Sequence, residues 1–235
     1  MKFVTVSGPP SSGKTSVLLA VIEELSSLTV GVLKFDCLST GDDRLYEQKG
    51  AQCRIGLSGS ICPDHYFVSN IEACIQWGIR QKFDLLISES AGLCNRCSPH
   101  IEGVLSVCVI DNLMGMNTPQ KIGPMLKMAD IVVVTKGDIV SQAEREIFSF
   151  KIIQANPTAE ILQINGISGQ GADRLSRLIQ NAAECESLFD QQLRASMPSA
   201  LCSYCLGQVN IGNDKQLADH KKMKLDPVSE RGQFK

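Results

Sequence analysis

The chain has 235 residues, 43% hydrophobic and 20% charged, and its 23 basic and 25 acidic side chains leave a net charge of −2. That length predicts one large domain, or a domain with a small appendage, and the near-balance of charge gives no bulk reason to bind nucleic acid or an anionic membrane surface. No apolar run approaches the roughly 18 residues of a membrane span, and the N-terminus passes from Phe3–Val6 straight into glycine and proline, unlike a secretory leader. The expected compartment is the cytoplasm, where the ten cysteines are read for metal before disulfide.

In chain order, short β-branched apolar runs at Phe3–Val6, Val30–Phe35, Leu85–Ser88, Val104–Ile110, Ile131–Thr135 and Glu160–Ile164 alternate with segments of helical period. The latter are Thr15–Ser26, Phe67–Lys82, Pro119–Met128, Gln142–Ala155 and Ala172–Ala183. Several strands are apolar at nearly every position, as when both faces of a sheet are covered. Alternation of strand and helix predicts βαβ units in a mainly parallel sheet flanked by helices, an α/β domain over residues 1–184. Residues 185–235 change character, with a Cys pair and a charged end, and are expected to form a small appendage with little core of its own.

Residues Gly8-Pro9-Pro10-Ser11-Ser12-Gly13-Lys14-Thr15 read G-x-x-x-x-G-K-[ST] between a strand and a helix, which makes the expected fold that of a P-loop NTPase. Backbone N–H groups in such a loop surround an anion, and the next helix adds the positive end of its dipole. Gly8, Ser11, Ser12, Gly13, Lys14, Thr15 and Ser16 are therefore the expected triphosphate site, with Lys14 reaching the β- and γ-phosphates and Thr15 holding Mg²⁺. Farther along, Glu89 ends an apolar strand and is followed by Ser90-Ala91-Gly92. An acid at that strand end falls beside the phosphate loop, so Glu89 is read as holding Mg²⁺ through water, and the Gly92 N–H as sensing the γ-phosphate. Thr135-Lys136-Gly137-Asp138 then ends another strand. Guanine presents two donors on one edge, and one carboxylate accepts both, which rejects adenine. Asp138 is the expected guanine reader and the Lys136 stem its cover, with Thr135 where the motif usually has Asn.

These motifs together resemble the nickel-insertion GTPases of hydrogenase and urease maturation, the HypB/UreG type. The resemblance runs over roughly residues 1–180. It rests on the order of the phosphate loop, Thr40-Gly41-Asp42-Asp43-Arg44-Leu45, Cys62-Pro63-Asp64-His65, Glu89-Ser90-Ala91-Gly92-Leu93, Met128-Ala129-Asp130 and the T-K-G-D run. It implies a GTPase that dimerises on GTP, carries a transition metal at the dimer interface and hands it to a client metalloenzyme. It also implies that Asp36 and Asp43 lie in the first switch region, near Mg²⁺ and the attacking water, so that Lys14, Asp36, Asp43 and Glu89 form the catalytic set. The chain departs from the family in placing Pro63 and Asp64 between Cys62 and His65, in having three histidines, and in its tail.

Two C-x-x-C pairs, Cys94/Cys97 and Cys202/Cys205, have the spacing that presents two thiolates to one ion. Cys94 and Cys97 closely follow the switch glycine, and Cys62 with His65 is a further candidate pair. The cargo expected of such ligands is Ni²⁺ or Zn²⁺, or an iron–sulfur cluster. Cys37, Cys53, Cys74, Cys108 and Cys185 are read as small core residues or ordinary thiols, and His100 and His220 are expected to face solvent. The leading reading is thus a GTP-hydrolysing metallochaperone. The alternatives are a small-molecule kinase and a nucleotide-gated interaction module with a structural metal.

Overall fold

The computed structural model describes residues 1–93, 97–196, 209–212 and 221–225. Seven strands form one sheet in the order β3-β2-β4-β1-β5-β6-β7, and every pairing is parallel. The strands are β1 (Lys2–Ser7), β2 (Val30–Asp36), β3 (Gln52–Leu57), β4 (Leu85–Ser90), β5 (Leu105–Asp111), β6 (Ile131–Thr135) and β7 (Glu160–Gln163). The helices are α1 (Lys14–Glu24), α2 (Asp43–Gln48), α3 (Pro63–Arg80), α4 (Thr118–Lys121), α5 (Pro124–Lys127), α6 (Gln142–Ala155) and α7 (Ala172–Gln180). From β1 the chain winds toward β2 on one side and, after β4, crosses to β5 on the other. The crevice at the carboxyl ends of β1, β4 and β5 is therefore a topological switch point, where such sheets bind ligands.

Alternate residues of the central strands feed two layers. Val4, Val6, Val32 and Ile87 pack under α1 with Val17, Leu18 and Val21, and α7 adds Leu175 and Ile179. Phe3, Leu33 and Phe35 face the other way, onto Phe67, Ile71, Cys74 and Trp77 of α3. A third cluster joins Ile110, Val132 and Val134 to Leu126 of α5 and to Phe148 and Ile152 of α6. The start of α6 carries a capping box: the Ser141 hydroxyl accepts from the Glu144 N–H, and the Glu144 carboxylate accepts from the Ser141 N–H.

Three differences from the sequence reading have physical causes. Strand β3 and helix α2 were not anticipated. β3 is an edge strand paired only with β2, and its Gln-Cys-Arg-Ile-Gly-Leu run is too broken by polar residues and glycine to read as buried. The segment Pro119–Met128, expected as one helix, is two single turns, because Gly123 has φ 63° and Pro124 restarts the helix without an N–H. His100, expected in solvent, is fully buried.

The described residues beyond 184 lie against the second layer. The Cys185 N–H donates to the Met1 carbonyl at 2.8 Å, and Leu188, Leu193, Ile211 and Met223 join the α3 core. The Arg194 guanidinium donates to both Asp130 oxygens at 2.7 and 2.8 Å and to the Val104 carbonyl at 2.7 Å. Among the described residues no helix is long and apolar enough to cross a membrane.

Candidate nucleotide and metal site

The loop between β1 and α1 is shaped by its glycines. Gly8 passes so close to β5 that a β-carbon there would stand 2.0 Å from the Val109 carbonyl oxygen, and Gly13, at φ 89°, turns the chain into α1. A cavity of about 550 Å³ opens over this loop. Its floor is Ser11, Gly13, Lys14, Thr15 and Ser16; Lys34, Asp36, Asp42 and Glu89 line one end, and Thr135, Lys136, Asp138 and Ile167 the other. Gly8 and Ser12 lie in the loop beneath.

Lys14 is folded back on the loop, its ammonium donating to the Gly8 and Pro9 carbonyls at 2.8 and 2.9 Å. Burial brings its pKa down to about 8, against an opposing pull from Glu89. The acidic end is a closed network. The Thr15 hydroxyl lies 2.9 Å from Glu89 Oε1 and 3.2 Å from Asp42 Oδ2. The Tyr46 hydroxyl donates to Glu89 Oε2 at 2.6 Å. Into the middle comes Lys34, 2.6 Å from Glu89 Oε1, 2.8 Å from Asp42 Oδ2 and 3.3 Å from Thr15 Oγ1. Burial opposes the Lys34 charge, yet Glu89 and Asp42 carry its pKa above the ordinary value. Burial and the Glu89 charge push the Tyr46 phenol well up.

This convergence bears on whether the residues fit Mg²⁺. A hydroxyl and two carboxylates surround one ammonium within 3.3 Å, a set of hard oxygen donors already arranged about a cation, as Mg²⁺ requires. The donor set fits. Asp36 also lines the cavity, with its Oδ1 accepting from the Cys37 N–H. Asp43, expected here, lies instead in the first turn of α2, and its neighbour Asp42 is the carboxylate that reaches the cavity. Sequence reasoning missed Lys34, Asp42 and Tyr46. The available signal was a lysine inside an otherwise apolar strand, which is rarely buried without a partner.

At the other end, the Thr135 hydroxyl donates to the Ser12 carbonyl at 2.7 Å, tying the T-K-G-D turn to the phosphate loop. Lys136 has φ 56° and its ammonium reaches the Ser11 carbonyl and Asp111. Asp138 stands exposed at the cavity mouth.

The thiol candidates lie one step away. Gly92 follows β4 at φ 66° and packs on Gly8. Five residues on, Cys97 is buried and hydrogen-bonds with Asp64 in the first turn of α3. Cys62 stands at the N-cap position of that helix and is half-buried, and His65 in the same turn is fully buried. Burial raises the Asp64 carboxyl to about 6, partly offset by the Cys97 contact. The described residues hold no group of three or more His, Cys, Asp or Glu able to bind a metal. Cys94, Cys202, Cys205 and His220 lie outside them. Cys53, Cys74, Cys108 and Cys185 are buried and Cys37 half-buried.

Residues 2–163 match the family model of the CobW/HypB/UreG nucleotide-binding domain. The chain belongs to the CobW/HypB/UreG family. An uncharacterized protein of Methanocaldococcus jannaschii is 42% identical over 213 residues, 90% of this chain and 91% of that one. Among solved structures the fold is similar to the hydrogenase maturation factor HypB of Archaeoglobus fulgidus, with TM-score 0.59 and 18% identity over 77% of this chain and 89% of that one. It is equally similar to HypB of Helicobacter pylori in complex with nickel, with TM-score 0.59 and 17% identity over 80% and 91% of the two chains. Family membership makes the cavity that of a nucleotide-binding domain.

Proposed function

We propose that the chain is a cytoplasmic, GTP-hydrolysing metallochaperone that delivers a transition metal to a client metalloenzyme or its assembly factors. One observation carries the reading. A single short segment links Glu89 in the cavity, Gly92 against the phosphate loop, and Cys97 against the turn of Cys62 and His65. In this reading a change at the γ-phosphate is passed along that segment to the candidate metal ligands.

In this reading Lys14 turns from the loop carbonyls to the β- and γ-phosphates, and the Gly92 N–H meets the γ-phosphate. Thr15, with Glu89 and Asp42, would hold Mg²⁺, which would supply charge neutralisation on the phosphates. Asp36 and Asp43 serve the first switch region. Asp138 accepts both donors of guanine, and Lys136 covers the base. The cargo is a soft or borderline divalent ion, nickel being the one bound by the H. pylori relative. Its donors come from Cys62, His65, Cys94, Cys97, Cys202 and Cys205. GTP favours a two-fold dimer, since ordered switch segments create a new surface.

The test is anaerobic titration of Ni²⁺ and Zn²⁺ into the reduced protein with GDP or a non-hydrolysable GTP analogue, with GTP turnover followed in parallel. Metal affinity that depends on the nucleotide supports the reading. Absence of metal binding at micromolar concentration in both states leaves a plain GTPase.

A further inference from the structure

Lys34 breaks an apolar strand, Val-Gly-Val-Leu-Lys-Phe-Asp, and is 5% exposed. A buried charge at that position needs a compensating purpose, because desolvating an ammonium and a carboxylate costs more than a surface pair returns. Its ammonium touches Glu89, Asp42 and the Thr15 hydroxyl at 2.6, 2.8 and 3.3 Å. These are the oxygens that hold Mg²⁺ in the nucleotide reading, and the role of Lys34 rests on that reading.

We propose that Lys34 is a specificity-determining residue that guards this seat: it satisfies Glu89 with a built-in cation and so excludes divalent ions until nucleotide phosphates supply further ligands. Mg²⁺ needs six oxygens in octahedral array, and whether it meets Glu89 directly or through one of its waters, it needs the carboxylate oxygen that the ammonium already holds at 2.6 Å. The exclusion matters for a protein that also handles a soft divalent cargo. Nickel or zinc bound by Glu89 and Thr15 would occupy the nucleotide centre instead of the thiol site. Lys34 makes the carboxylate unavailable to such ions and leaves the thiols as the competent ligands. The same cation neutralises Glu89 when phosphates approach, so nucleotide binding does not depend wholly on Mg²⁺.

Mn²⁺ is the probe, a hard ion suited to oxygen ligands and not to thiols, read by electron paramagnetic resonance on nucleotide-free protein. Wild type is expected to bind no Mn²⁺ below about 100 µM, whereas Lys34→Met binds one equivalent at least about tenfold more tightly. Lys34→Arg, which keeps the charge, should exclude Mn²⁺ as wild type does; a merely structural role would not make the effect follow the charge. A second measurement uses wild type alone. Fluorescent GTP-analogue affinity should fall less than about tenfold when Mg²⁺ is replaced by chelator. Equal Mn²⁺ affinity in wild type and Lys34→Met, or a thousandfold or greater loss of nucleotide affinity in chelator, overturns the guard while leaving the nucleotide site standing. Failure of wild type to bind any nucleotide, with or without Mg²⁺, overturns the underlying reading and the guard with it.

Discussion

Gly92 lies so close to Gly8 that a β-carbon on it would stand 1.7 Å from the Gly8 carbonyl oxygen. The obstacle is backbone, so no side chain can swing aside, and the φ of 66° at Gly92 adds strain for any other residue. Gly92→Ala must therefore push the segment after β4 off the phosphate loop. The strands beneath are untouched, and the variant should fold with a loss of about 1–3 kcal/mol. Its affinity for a GTP analogue should drop at least about tenfold, while GDP, which lacks the γ-phosphate, is affected less. Parallel fluorescence titrations with the two nucleotides check this.

Asp138 stands exposed at the cavity mouth, away from the core, so its substitution reports on recognition and not on folding. Wild type should bind GTP at least about tenfold more tightly than ATP, or about 1.4 kcal/mol. Asp138→Asn removes one acceptor and should erode that ratio with unchanged thermal stability. Equal affinities in wild type would sink the guanine assignment.

The Thr135 hydroxyl stands where the motif usually has Asn, and it donates to the Ser12 carbonyl at 2.7 Å. Thr135→Val keeps the shape and loses the bond. It should cost about 0.5–1.5 kcal/mol in urea unfolding and weaken nucleotide binding by loosening the two loops against each other.

The phosphate loop, the strand bearing Glu89 and the T-K-G-D turn were readable because each is local: glycines, a strand end and a fixed spacing lie within a few residues. Lys34, Asp42 and Tyr46 were not, because their meaning is the meeting of three distant segments on Glu89. The same holds for Gly92, whose closeness to Gly8 spans 84 positions of chain (92 − 8). His100 gave no signal at all. One histidine in a polar stretch looks solvated, and only the fold puts its ring between Thr5 and Met125.

That ring sets a pH dependence. Its Nε2 donates to the Met125 carbonyl at 2.9 Å, leaving Nδ1 as acceptor toward the Thr5 hydroxyl at 3.1 Å. Burial lowers its pKa from 6.5 to about 4, partly offset by the Met125 contact. Between those values the unfolded chain binds more protons, so stability rises with pH there, by up to about 1.4 kcal/mol per unit. Acidification from 6.5 toward 4 therefore destabilises through His100. Asp64 acts oppositely: with its carboxyl raised from 3.8 to about 6, the folded state binds more protons in nearly the same window, and stability falls as pH rises through it. His100→Gln keeps the Asp64 effect and removes the other. It should be less stable than wild type at pH 7, and the gap should narrow by about 1 kcal/mol or more at pH 5, as measured by urea unfolding.

The remaining prediction concerns the cargo. Cys97 is buried against Asp64, and Cys62 and His65 lie in the same helical turn. Thiolate sites tolerate little geometric error, since Zn–S bonds lie near about 2.3 Å. A small displacement passed from Gly92 to Cys97 should therefore change metal affinity by about tenfold or more between the GDP and GTP-analogue states. Linkage then requires bound metal to shift nucleotide affinity by the same factor, so the two titrations check each other. Metal ligands must be deprotonated, so uptake should release protons and binding should strengthen as pH rises. Cys94→Ala with Cys97→Ala should abolish the coupling and leave nucleotide affinity in the absence of metal unchanged. A double variant that binds metal with the same nucleotide dependence would move the cargo site away from this segment.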